Sequence, residues 1–229
     1  MLKLQRSTTL DDAHLCSSKN FMIGNKKAKS KSLHTLPVEK ADACKIPLYK
    51  RLTVAYPKNC VLNNSMQAEI VDSWRLILQK YDSDHCKIGL EIYARIFKEC
   101  PELRDVFYIP EQVENLNDYL PFHRSGKLFA SVIDLCVRNI GNLETEMGAV
   151  LTAYGRRHYY RRKQGFRLSY FTIFDQSILD FIAENITDSQ RAEKILGGWY
   201  LLISFIRNKM ANGFELEKQN DWELRRRLK

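Results

Sequence analysis

No run of 18 or more apolar residues occurs in the 229-residue chain, so no stretch is expected to cross a bilayer as a helix. Glycine (10) and proline (6) are few, which sets aside a low-complexity, turn-rich chain. The length suits one domain of ordinary size plus a tail. The six cysteines, at 16, 44, 60, 86, 100 and 136, include no C-x-x-C pair. A disulfide or zinc framework is therefore not expected, and the thiols read as reduced and cytosolic. The opening Met1-Leu2-Lys3-Leu4 has no apolar secretory core, and Leu2 removes an N-myristoylation site. The compartment expected is the cytoplasm, or the nucleus by free entry. No segment alternates apolar and polar residues as a strand would, and no Ser-His-Asp, phosphate-loop or zinc pattern is found. An enzyme of those classes is not expected.

Charge is unevenly placed. Residues 1–60 hold 12 Lys and Arg against 4 Asp and Glu, and the remaining 169 hold 24 against 23. Nearly all of the net +9 thus lies in the first quarter of the chain. The near-neutral remainder argues against a nucleic-acid-binding surface. Residues 1–62, rich in Lys, Ser and Asn with the cluster Lys26-Lys27-Ala28-Lys29-Ser30-Lys31, carry too little apolar surface to offset ordering entropy and are expected to be a disordered basic extension. That cluster reads first as solvated, and second as a patch for anionic membrane or import machinery. Ile46, Leu48, Leu52, Val54 and Tyr56 are candidates for local packing on the domain.

Helical periodicity then runs through residues 63–214. Asn64 with Gln67 has capping-box spacing, and Met66, Ile70, Trp74, Ile77 and Tyr81 form one face of a first helix. Past the polar break Asp82-Ser83-Asp84, a second helix has Gly89, Ile92, Tyr93, Ile96 and Phe97 on one side and ends at Cys100-Pro101. A short turn to Phe107 and a polar connection over 108–118 follow. A long helix then starts near Asp118, with Phe122, Gly126, Phe129, Val132, Ile133, Cys136 and Ile140 inward, and is broken at Gly141-Asn142. A short helix, a loop through Gly165 and two more helices follow, from Leu168 to about Asn185 and from Asp188 to about Asn212. Asn212-Gly213 reads as a stop signal, leaving 215–229 as a polar, basic, frayed tail. The fold class is all-α, with about seven helices.

One stretch carries chemistry. Met147, Val150, Leu151, Tyr154 and His158 are spaced three and four apart, placing one imidazole on an apolar face near a helix end. A lone histidine there is more often a packed core residue, yet neutral imidazole is also a good iron ligand. His14, His34 and His85 have no partners at metal-binding spacing and read as surface residues.

Taken together, residues 64–214 resemble a globin, closest to neuroglobin-like and nematode-type members with an N-terminal extension. The resemblance rests on Trp74 in the first helix, Tyr93-Ala94-Arg95-Ile96-Phe97 in the second, and Pro101 six residues before Phe107. It also rests on Gly155-Arg156-Arg157-His158 and on the offsets of Trp199, Met210 and Gly213. It implies a three-over-three helical sandwich around haem b, with His158 as the proximal iron ligand. Phe107, Phe129, Val132, Leu151 and Tyr154 become pocket walls, and Arg156, Arg157 or Arg161 partners for the haem propionates. On the opposite side the register puts Ser125 where the family usually has a distal histidine. His123 lies two residues away, about 200° around a regular helix, and remains an alternative distal ligand if the helix is irregular near Pro121. Tyr93 is placed to reach over a bound ligand, against the plainer reading of a buried tyrosine bonded to a backbone carbonyl.

The function implied is binding of dioxygen or another diatomic gas for storage, transport or sensing. The alternative is a bis-histidine haem acting in electron transfer or redox signalling with a redox partner; a haem-free helical interaction module is the third. Any enzymatic activity would be haem chemistry. Whether the chain forms a homodimer stays open.

Overall fold

The computed structural model describes Leu52 and residues 61–228. Seven α-helices occur among them: α1 (Asn64–Lys80), α2 (His85–Glu99), α3 (Leu103–Val106), α4 (Leu120–Arg138), α5 (Leu143–Tyr160), α6 (Tyr170–Asn185) and α7 (Ala192–Arg227). Short 3-10 turns lie at Leu116–Asp118, Ile140–Asn142 and Arg161–Gln164, and no strand occurs among the described residues. The expected disordered extension lies outside them, as do His14 and His34; of its apolar group Leu52 alone is described, and it is buried.

Local chemistry sets the helix ends. Asn63, not Asn64, caps α1: its Oδ1 accepts from the Met66 backbone amide at 2.9 Å, while the Gln67 side-chain Nε2 donates back to the Leu62 carbonyl at 3.2 Å. Asp82 and Ser83 both take left-handed φ values (53° and 58°) to turn the chain, and Asp84 caps α2 by accepting from the Cys86 amide at 2.8 Å. Pro121 sits in the first turn of α4, where its missing N–H costs nothing. Gly165, at φ 95°, closes the turn after α5. The polar connection over 108–118 still anchors itself through buried Ile109 and Leu116.

Two layers result, α1, α4 and α5 over α2, α6 and α7, a three-over-three arrangement. The tightest packing runs between the layers, α2 against α4 and α5 against α7. Both crossings depend on glycine. A Cβ on Gly89 would stand 1.9 Å from the Gly126 carbonyl oxygen, and one on Gly155 would stand 2.0 Å from that of Met210. Gly213 works in the same way from the other helix, its Cβ position being 2.0 Å from the Thr152 carbonyl oxygen. Gly213 therefore permits a close crossing rather than ending the helix, and α7 continues to Arg227. The expected frayed tail is instead helix, held by Phe214 against Tyr159 and Phe166 and by the Tyr159 hydroxyl donating to Asp221 at 2.6 Å.

Fully buried Trp199 packs against Trp74 with ring centroids 5.7 Å apart and planes tilted by 57°, and each indole N–H is matched. Trp74 donates to Asp134 Oδ1 and Trp199 to Ser73 Oγ, both at 2.9 Å. His85 belongs to this cluster rather than to the open surface: its Nε2 lies 3.5 Å from Asp134.

Candidate ligand-binding cavity

α4 and α5 barely touch, and the space between them opens into a cavity, roughly 980 Å³ of empty space with the open solvent at its mouth included. α4 supplies Ser125, Leu128, Phe129, Val132 and Ile133; α5 and the turn after it supply Tyr154, His158 and Arg161. Tyr93 of α2 and Phe107 close one side. Phe171, Phe174, Asp175 and Ile178 of α6, with Ile203, Ile206, Arg207 and Met210 of α7, form the floor.

His158 reaches this cavity from the last turn of α5. Its Nδ1 lies 2.8 Å from the Tyr154 carbonyl oxygen. A carbonyl only accepts, so Nδ1 carries the proton and the Nε2 lone pair is left bare. Nε2 has no hydrogen-bond partner among the described residues. The rings of Phe166 and Phe171, centred 5.2 and 5.7 Å away, hold the imidazole in place. Burial is the main cause of a pKa below the ordinary histidine value, with Arg161 adding to it and the Tyr154 bond opposing. The neutral, ligating form is thus favoured.

Opposite stands an aromatic wall. The Tyr93 ring is packed by Phe107, Phe122 and Phe129 at 5.3, 4.8 and 5.0 Å. Its hydroxyl bonds to no backbone carbonyl, nor to any other group among the described residues. Burial raises its pKa despite the field of Arg161, so the phenol keeps its proton as a donor. Ser125 lines the cavity. His123 does not: α4 is regular through Pro121, and the His123 Nε2 lies 2.8 Å from the Asn117 carbonyl oxygen on the outer side.

The structure therefore brings His158, Phe107, Phe129, Val132, Tyr154, Tyr93 and Ser125 around one cavity. Leu151 is fully buried in helix packing and does not line it, and Val150 of the same stripe is 43 % exposed. The α5 helix presents only its Tyr154–His158 end to the opening. Of the three candidate arginines, Arg161 lines the cavity and sits over Phe107 at 5.5 Å. Arg157 lies over the Tyr154 ring at 5.7 Å, and Arg156 points to solvent.

One pair was not singled out from sequence. Asp175, 4 % exposed, meets Arg207 at 2.9 Å in the cavity floor. Burial drives the carboxyl pKa up to about 7, although Arg207 pulls it down. Removing two charges from water offsets most of their attraction, so such a pair contributes little to stability. The signal was present, since Asp175 interrupts the apolar face of Phe171, Phe174 and Ile178.

No cluster of three or more His, Cys, Asp or Glu capable of holding a metal occurs among the described residues. A metal at His158 must therefore arrive with its other ligands, as iron does in a porphyrin. The bare nitrogen, the flat apolar walls and the cationic edge at Arg161 fit that group.

Comparisons with known proteins agree with this fold. The family model for globins matches residues 90–206. Globin-related protein glb-13 of Caenorhabditis elegans is 27% identical over 149 residues, covering 63% of this chain and 50% of that protein. The chain thus spans about half the length of the curated relative it matches. A hexacoordinated haem protein from an anhydrobiotic tardigrade, solved at pH 4, superposes with a TM-score of 0.58 at 20% identity, covering 71% of this chain and 98% of that one. At that identity the likeness shows a shared fold.

Proposed function

The chain belongs to the globin family, whose cofactor is haem, and from that premise we propose that its cavity binds haem through Nε2 of His158 and leaves the opposite face for dioxygen or another diatomic gas. The observation that carries this reading is the anchored imidazole: Nδ1–H held by the Tyr154 carbonyl, with Nε2 unpartnered and turned to an apolar cavity. Bound haem supplies an iron that takes a gas on its open side.

The chain's own residues divide the remaining work. Tyr154 fixes the tautomer and the ring orientation of His158. Phe107, Phe129 and Val132 exclude water, and Arg161 is placed for a propionate. Tyr93 offers a hydroxyl proton toward the gas-binding face, which slows release of a polar ligand, while Ser125 offers a weaker contact. A slow-releasing pocket suits storage or sensing. The placement of His123 against Asn117 supports an open face over bis-histidine ligation.

The test is an optical spectrum after haem reconstitution, ferric and then dithionite-reduced. A broad single visible band in the reduced form is expected. Sharp, split bands there would overturn the open-face reading and turn attention to His123 and redox signalling. Absence of a Soret band would overturn haem binding itself.

A further inference from the structure

The cavity mouth carries an excess of positive charge that no ion pair among the described residues offsets. Leu128 lines the cavity yet is 50 % exposed, which marks the mouth on the α4 side. Exposed Arg124, one helical turn before it, and Lys127 beside it share that edge. Across the opening, Arg157 covers Tyr154 and Arg161 covers Phe107, both cavity-lining rings, with exposed Arg156 and Lys163 next to them.

None of these six cations has an ion pair among the described residues. Many cations elsewhere are matched, among them Arg191 and Lys194 on Glu69, Arg138 on Asp134 and Lys209 on Glu144, and unpaired ones such as Lys87 and Lys98 stand at opposite ends of one helix. On α7, Asp221 is engaged by Tyr159 and Arg225, and Glu217 accepts from the Tyr160 hydroxyl. Two propionates would offset two of the six charges and leave four.

We propose that this rim is a docking surface for a folded one-electron carrier protein with an acidic face, seated over the cavity mouth. Matched charge steers such encounters and sets their orientation. A lipid surface fits less well, because membrane-facing patches add apolar anchors to their cations. Here the exposed large apolar side chains, Tyr108, Leu120, Leu128, Val150 and Tyr160, come singly from three separate elements rather than from one amphipathic segment, and the Tyr160 hydroxyl is tied to Glu217. With haem held at His158, a reduced partner seated there would give up one electron to ferric iron and be left oxidised, with no bond made or broken. That step rests on the haem reading above; the docking does not.

The full chain is tested against a plant-type [2Fe–2S] ferredoxin, an acidic one-electron carrier, by calorimetry at about 0.02 M and about 0.2 M salt. Affinity should fall at least about tenfold with the added salt. The combined Arg156→Glu, Arg157→Glu, Lys163→Glu variant should weaken binding at low salt by a further factor of about ten. Reversal of Arg75, Lys80 and Lys98, the same change in net charge on exposed positions away from the rim, should stay within about twofold. Equal loss in both triple variants, or no loss in either, overturns the proposal. Rim-dependent sedimentation with phosphatidylserine vesicles, without ferredoxin binding, overturns it in favour of a membrane. Lost docking with a normal Soret band sinks this proposal alone, and intact docking without a Soret band sinks the haem reading alone.

Discussion

The two walls of the cavity are built from different chemistry. α4 contributes Ser125, Leu128, Phe129, Val132 and Ile133, without one ionisable side chain. The opposite wall and floor contribute His158, Arg161, Asp175 and Arg207. Lone pairs and charges are thus concentrated on the wall proposed to grip haem, and the side proposed to face a gas is left to shape and to single hydroxyl groups. On that proposal a reactive small ligand would meet few groups that could donate or take a charge, while the cofactor would meet a fixed nitrogen and a fixed field.

Variants can break that contrast, and His158→Ala has the largest expected effect. It removes the bare nitrogen, and haem retention after reconstitution should fall more than about 100-fold, beyond the effect of disturbing a ligand's supporting contacts. A Soret band of normal intensity and affinity in this variant would refute the assignment of the gripping wall. Next is Tyr93→Phe, which removes one donor from the gas-facing side without changing volume. Loss of one hydrogen bond of about 1–1.5 kcal/mol should speed dioxygen dissociation by about tenfold; an unchanged rate would return Tyr93 to the role of a packing residue.

Asp175→Asn sharpens the contrast by removing charge from the floor. A carboxyl whose folded pKa is raised to about 7 from 3.8 binds more protons folded than unfolded between those values. Its contribution to stability therefore declines as pH rises from about 4 to about 7 and is level above that. The variant should lose this decline, seen by comparing its unfolding midpoints with those of the native chain across that window. Parallel pH profiles would show that the carboxyl does not titrate there. The smallest effect belongs to His123→Ala, on the outer side of α4. Spectrum and gas-binding rates should change less than about twofold, and a change in coordination would show that α4 rearranges around haem.

Periodic elements were the most legible part of the chain. The faces of α1, α2, α4 and α6 follow from spacing alone, because an amphipathic helix needs only its own residues to announce its inner side. The end of α7 did not follow. Gly213 has the same letter whether it stops a helix or lets Thr152 approach, and only the neighbouring helix tells the two apart. Val150 and Leu151 show a similar limit, since a stripe of correct period does not say where a neighbouring helix diverges and a cavity begins. The Asp175–Arg207 pair was half legible: each ionisable residue interrupts an apolar face, but their pairing depends on α6 and α7 lying side by side. The cavity residues on the first five helices were reached through the family resemblance and not through periodicity, which does not distinguish a cofactor wall from plain core.

The 36-residue α7 leaves the ribosome after every other helix that walls the cavity. Until it does, Phe171, Phe174 and Ile178 lack the partners that Ile203, Ile206 and Met210 supply, and the crossing at Gly155 has nothing to cross. A nascent chain halted near residue 190 would display the imidazole segment above an unroofed apolar trough, a state prone to aggregation and suited to chaperone holding. On the haem reading, cofactor capture would wait until α7 is made, and a translational pause ahead of α7 would cost yield before it cost affinity.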